Sequence, residues 1–85
     1  MKEFSYQIKD EIGLHARPAG LLVKEAKKYA SRITLSANGK ECDATRLMAL
    51  MGMGVKCGAD VLVRVEGEDE AVCAEALEAF FQENL

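Results

Sequence analysis

Asn38-Gly39 lies between two short stretches of strand-like residues. Ile33, Leu35 and Ala37 alternate with polar neighbours before it, and Lys40–Asp43 follows. A two-residue hairpin turn of the favoured kind needs positive φ at both central positions, which Asn-Gly adopts at little cost. The dipeptide therefore predicts an antiparallel pair in the middle of the chain, and the remaining segments must be arranged around it.

Phe4, Tyr6 and Ile8 alternate with Ser5, Gln7 and Lys9, the period of a strand with one buried face. Asp10-Glu11-Ile12-Gly13 interrupts that period. From Ala16 to about Lys28, Ala19, Leu22, Val23, Ala26 and Ala30 recur at helical spacing. Leu47 to Met53 reads as a short apolar helix, stopped by Gly52 and Gly54. Val61, Val63 and Val65 mark another strand. Asp69 to about Glu83 reads as a last helix, with Cys73, Ala76, Leu77, Phe80 and Asn84 along its apolar stripe. Glu68, Asp69 and Glu70 suit its positive N-terminal end. The order β-α-β-β-α-β-α predicts an α+β domain over residues 1–85, a four-stranded sheet with helices on one face. Periodicity by itself leaves a ferredoxin-like strand order and other open-faced sandwiches as alternatives.

Length limits what such a domain can do. A chain of 85 residues buries roughly 60–65% of its unfolded surface, so nearly every apolar side chain is needed for the core. A deep substrate cavity would consume that core, so chemistry is expected at the surface and recognition between proteins. Eleven Lys+Arg against 14 Asp+Glu give a net charge of -3. Nucleic-acid binding, which needs a basic footprint, is not expected. The start Met1-Lys2-Glu3-Phe4-Ser5 lacks the apolar run of a signal peptide. No stretch reaches the ~20 apolar residues of a membrane span, so no membrane insertion is expected. Cys42, Cys57 and Cys73 form no CxxC pair. They are expected to be reduced, small hydrophobes in a cytoplasmic protein, with neither a disulfide nor a metal site.

The segment with most chemistry in it is Gly13-Leu14-His15-Ala16-Arg17-Pro18-Ala19. The single His precedes the first helix, and the single Pro stands in its first turn, where a missing N–H costs nothing. Free first-turn amides and the positive end of the helix dipole are expected to face His15. A neutral imidazole is a nucleophile. An anion placed on it would meet the helix start at Ala16, Arg17 and Pro18, and the Arg17 guanidinium can grip phosphate oxygens in bidentate fashion. These residues suit a carrier of a covalent phosphoryl group, although one His beside one Arg also occurs as an ordinary helix start.

Ile12-Gly13-Leu14-His15-Ala16-Arg17-Pro18-Ala19 resembles the phosphorylation-site motif of the HPr family, the histidine-containing phosphocarriers of the bacterial phosphoenolpyruvate:sugar phosphotransferase system. The similarity extends along the chain: element order, Asn38-Gly39-Lys40, the Leu47-Met48 helix, and Gly67-Glu68-Asp69-Glu70 before the last helix. The resemblance implies an open-faced β-sandwich with strand order 1-4-2-3. It implies that His15 accepts a phosphoryl group on Nδ1 from phosphorylated enzyme I and passes it to IIA domains of sugar permeases, with Arg17 steadying the phosphate. No cofactor is implied. The chain would turn over nothing by itself, being a covalently modified intermediate between enzymes. A monomer is expected, since the His must meet successive partners.

The docking surface is read from side chains that the core does not need. The first helix carries Gly20, Leu21, Lys24, Lys27 and Lys28 away from the apolar stripe, a local basic patch. Leu47, Met48, Ala49, Leu50, Met51 and Met53 are too apolar all round for one buried face. Leu50 is expected to point inward. Leu47, Met48 and Met51 are expected to share the outer side and form an adaptable contact surface. One position departs from the resemblance. Where low-GC Gram-positive relatives carry a regulatory serine phosphorylated by an ATP-dependent kinase, this chain has Arg46. Thr45 is offset by one residue and is placed to cap the helix. The other function class is a regulatory paralogue, of nitrogen-branch or catabolite-control type, acting by binding transcriptional regulators or enzymes. Relatives that only bind have lost the His, whereas His15, Arg17 and Pro18 are all present.

Overall fold

The computed structural model describes residues 1–85. Its elements are β1 (Lys2–Gln7), α1 (Ala16–Ala26), β2 (Arg32–Ala37), β3 (Lys40–Asp43), α2 (Leu47–Gly52), β4 (Asp60–Glu66) and α3 (Glu70–Asn84). The strands form one antiparallel sheet in the order β1-β4-β2-β3. This is the open-faced arrangement with the strand order that the family resemblance implies. Asn38 and Gly39 have φ of 53° and 73°. The β2–β3 hairpin therefore closes through two left-handed residues, as its sequence requires.

Register puts Phe4, Val63, Leu35 and Cys42 in one row across the sheet, facing the helices. Ile8, Ile33, Leu35, Val61, Val63 and Val65 are buried on that face with Leu22 and Ala26 of α1, Leu50 of α2 and Leu77 of α3. The opposite face holds Glu3, Ser5, Arg64, Thr34 and Asp43 in or beside the same registers. Arg64 there reaches Glu3 at 3.5 Å and Glu41 at 3.9 Å. Period-2 alternation thus sorts the strands into a core face and a charged face.

Four local expectations change. The stripe of α3 runs through Cys73, Leu77 and Phe81 and on to Leu85, not through Phe80 and Asn84. A spacing of four residues keeps these side chains over the sheet, where Phe81 meets Phe4 at 5.8 Å and Tyr6 at 5.6 Å edge to face. The first helix ends at Ala26, and Ala30 is exposed, because the chain turns at Lys27–Tyr29 to enter β2. Cys57 is exposed, and of the three thiols just Cys73 is fully buried. Thr45 does not cap α2: its hydroxyl donates to Asp43 Oδ1 at 2.6 Å, and Arg46 holds the N-cap position without a side-chain bond. Helix α2 ends at Gly52, as its glycine predicts, and its C-cap Met53 is buried in the core.

No helix is long and apolar enough to cross a membrane.

Candidate functional site

His15 is the N-cap of α1, with φ −100° and ψ −173°. Its carbonyl accepts the first helical bond from the Ala19 N–H at 2.9 Å. Its side chain makes no capping bond and is half-buried. Ala16 and Arg17 supply N–H groups with no partner inside the helix, and Pro18 supplies none. Pro18 and Ala19 are buried, so the first turn is seated in the core while His15 and Arg17 stay accessible.

The loop before His15 is held by three separate devices. Asp10 Oδ1 accepts from the N–H groups of Ile12 at 2.9 Å and Gly13 at 3.2 Å, which closes an Asx turn. The Leu14 N–H donates to the Val55 carbonyl at 3.0 Å, and the Leu14 side chain is buried. Gly13 has φ +85° and packs so closely on the next loop that a Cβ would lie 2.5 Å from Lys56 Cα and from the Val55 carbonyl. Glycine is needed there for both its conformation and its lack of a side chain. The far end of α3 adds a fourth tie, as the Leu85 carbonyl accepts from the N–H groups of Lys9 and Asp10 at 2.6 and 2.8 Å. The imidazole therefore projects from a braced backbone.

His15, Arg17, Pro18 and Leu21 line a shallow surface depression of about 280 Å³ with Asp10, Glu83 and Asn84. Its openness and the α1 amides suit a transient anion. Asp10 and Glu83 are acidic residues lining the same depression, one from the loop and one from α3. Sequence reasoning missed Asp10, Glu83 and Asn84. No local signal marks Glu83 and Asn84, because α3 reaches the depression through tertiary packing, whereas Asp10 shows in the sequence as part of the break after β1. Two larger depressions, of about 380 and 490 Å³, lie elsewhere, on the charged sheet face and beside β1.

The remaining site candidates fall on α1 and α2, which pack against each other. Leu21 is 43% exposed, Leu47 40%, Met48 79% and Met51 40%, whereas Leu50 is fully buried. Gly20 faces open space. Lys24 and Lys27 are exposed, and Lys28 is paired with Glu25 at 3.1 Å. Arg46 is exposed at the start of α2. Leu21 lines the His15 depression and is also among the exposed large apolar side chains.

Residues 2–83 match the protein family PTS-HPr, described as the PTS HPr component phosphorylation site. The phosphocarrier protein HPr of Mycoplasma capricolum subsp. capricolum is 40% identical over 77 residues, 91% of this chain and 86% of that protein. The HPr-like protein Crh of Bacillus subtilis is 36% identical over 85 residues, the whole of both chains. The solved structure of a mycoplasma histidine-containing phosphocarrier protein superposes with a TM-score of 0.93 at 36% identity, over 96% of this chain and 93% of that one.

Proposed function

This chain belongs to the HPr family of phosphotransferase-system phosphocarriers, and from that premise we propose that His15 is its phosphoryl acceptor, charged by phosphorylated enzyme I and discharged to IIA domains of sugar permeases. The observation that carries the reading is the His15 side chain itself. It stands at the N-terminus of α1 on a braced backbone, without a side-chain partner, with Arg17 in the same open depression.

In this reading the lone pair of Nδ1 attacks the phosphorus held by the donor. The bond from phosphorus to the donor breaks as the new N–P bond forms. Such a transfer depends on positioning and charge stabilisation more than on covalent machinery. The α1 amides and Arg17 supply part of the stabilisation, and the partner supplies the rest. Asp10 and Glu83 limit how firmly the phosphate is held, because like charges in the depression oppose its retention. A carrier needs that balance, since a group held too well would not be passed on.

The exposed Leu21, Leu47, Met48 and Met51, with Gly20, Lys24 and Lys27 nearby, are proposed as the docking surface for acidic partners, met by a monomer. Arg46 occupies the place of the regulatory serine, and the Thr45 hydroxyl is engaged by Asp43. Modification by the ATP-dependent kinase is therefore not expected. The regulatory alternative, binding without transfer, draws on the full-length likeness to Crh. It ranks second because it leaves the pairing of His15 with Arg17 without a use.

The test is direct. Incubation with phosphoenolpyruvate and enzyme I should add one phosphoryl group, stable in base and labile in acid, and His15→Ala should abolish it. No mass gain by the wild type, or an equal gain by the alanine variant, would refute the carrier reading.

A further inference from the structure

We propose that the free edge of β1, with the groove between it and α3, binds an extended cationic segment of another protein as an added β-strand. The inference does not rest on the chemistry of His15.

The order β1-β4-β2-β3 leaves the outer side of β1 without a partner strand. Ile8 donates its N–H to the Ala59 carbonyl, so by alternation Phe4 and Tyr6 also direct their backbone groups at β4. Glu3, Ser5 and Gln7 then turn their N–H and C=O groups outward. A row of such groups is a template for strand addition unless something blunts it. Little does so here. The strand is six residues long, pairs with β4 in unbroken register from Lys2 to Gln7, and contains no proline. Lys2 is its single cation.

The groove beside this edge holds about 490 Å³. Phe4, Ala71 and Ala74 provide its apolar surface, Glu75 and Glu78 stand along the α3 side, and Lys2 and Glu3 line the β1 side, so three carboxylates face one ammonium group. Helix α3 contains no Lys or Arg. Neither Glu75 nor Glu78 is in an ion pair. Two unneutralised carboxylates over a floor of small side chains fit a partner whose strand alternates small apolar residues with Lys or Arg. The long basic side chains can lie across Ala71 and Ala74 and end at the carboxylates. A second copy of this chain fits poorly, because its β1 offers Lys2 and Glu3 together and its own α3 is equally acidic.

The groove uses the first half of α3, whereas the His15 depression takes Glu83 and Asn84 from its end. At about 1.5 Å per residue, Ala74 and Glu83 are separated by roughly 13 Å along the helix. The two surfaces can be occupied together, so a partner held at β1 leaves the imidazole open.

The probe is the peptide acetyl-KVKAKVK-amide, titrated into the isotopically labelled full chain and followed by amide NMR, with acetyl-EVEAEVE-amide as control. Shifts are expected at Glu3, Ser5, Gln7 and along Ala71–Glu78, with the His15 amide unmoved. Replacing Glu75 and Glu78 by Gln should weaken binding about fivefold, as two exposed ion pairs would, and added salt should do the same. Ser5→Pro should abolish binding by removing an outward N–H. If that variant fails to fold, the glutamine pair carries the test. Shifts spread evenly over the acidic surface, equal binding of the control peptide, or indifference to Glu75→Gln with Glu78→Gln would overturn the proposal. So would edge amides that move with protein concentration alone, since a second copy would then be the occupant.

Discussion

Ser31 is tied to Asp69 by two hydrogen bonds to one carboxylate oxygen. The Ser31 N–H donates to Oδ1 at 2.9 Å, and its hydroxyl donates to the same atom. The Ala30 N–H completes the clamp on Oδ2 at 2.9 Å. Asp69 is the N-cap of α3, yet it makes no side-chain bond to its own helix. Its carboxylate instead fastens the α1–β2 connection to the start of α3, across 38 residues of sequence.

This clamp makes stability depend on acid. The Ser31 hydroxyl, then the backbone donors, hold the Asp69 carboxyl below its ordinary range. A group depressed in the folded state stabilises it above the unfolded carboxylate value, near 4, and that contribution fades as pH falls through the folded value. Asp69→Asn should therefore lower the Tm at pH 7 and flatten the loss of stability below about pH 4. Thermal unfolding by circular dichroism across pH 2–7 measures both. Superimposable profiles for variant and wild type would remove the clamp from the account.

Gly13→Ala tests the brace under His15. A Cβ at φ +85° would be strained and would collide with the backbone at Val55 and Lys56. Left-handed strain plus overpacking should cost about 2–4 kcal/mol. Urea unfolding should show the lower midpoint, and phosphoryl acceptance should slow because the loop must shift. An unaltered midpoint would mean that the close approach is not needed.

Truncations in α3 separate its neighbouring phenylalanines. Phe81 is fully buried and meets Phe4, Tyr6 and Phe80 edge to face. Phe81→Ala should cost about 3–5 kcal/mol, and Phe80→Ala clearly less. Denaturant titration of both variants checks the order. Equal losses would restore the stripe expected through Phe80.

The thiols should differ in reactivity. Burial first, then the Asp69 and Glu25 carboxylates, push the Cys73 thiol up to about 11. Cys57 is exposed. Iodoacetamide near neutral pH should modify Cys57 in the folded chain and reach Cys73 after unfolding, as mass spectrometry of peptides would show. A raised thiol stabilises the folded state below the unfolded thiol value, near 8.5, and that contribution is lost as pH climbs from there toward 11. Stability should decline over that range, less so in Cys73→Ala. Early labelling of Cys73 would contradict its burial.

Met48→Glu addresses docking. The side chain is 79% exposed, so the Tm should be nearly unchanged, as for most surface substitutions. Transfer from enzyme I should slow by about tenfold, the effect of losing roughly 1.4 kcal/mol of contact. Phosphorylation rates at limiting carrier report it. An unaffected rate would exclude Met48 from the contact.

Much of the fold can be read along the chain because its signals are local. The alternation in β1, β2 and β4, the Asn38-Gly39 turn and the inward Leu50 each depend on near neighbours, and each stands as expected. Errors arise where apolar residues are abundant. Phe80 and Phe81 both suit a helix, and the sheet beneath them selects Phe81. Ala30 fits the helical period but falls after the chain has turned. Thr45 has a capping side chain, yet Asp43 competes for its hydroxyl.

By itself the sequence determined the elements, the hairpin, and a helix start bearing His15, Arg17 and Pro18, since periodicity, turn conformation and side-chain chemistry are properties of adjacent residues. Periodicity was silent on strand order, and the family resemblance supplied it. Tertiary structure decided what surrounds His15. Gly13 against Lys56, Leu14 bonded to Val55, and Glu83 and Asn84 beside Arg17 bring together segments far apart in the chain. Such encounters depend on how the core packs as a whole, and no local pattern encodes them.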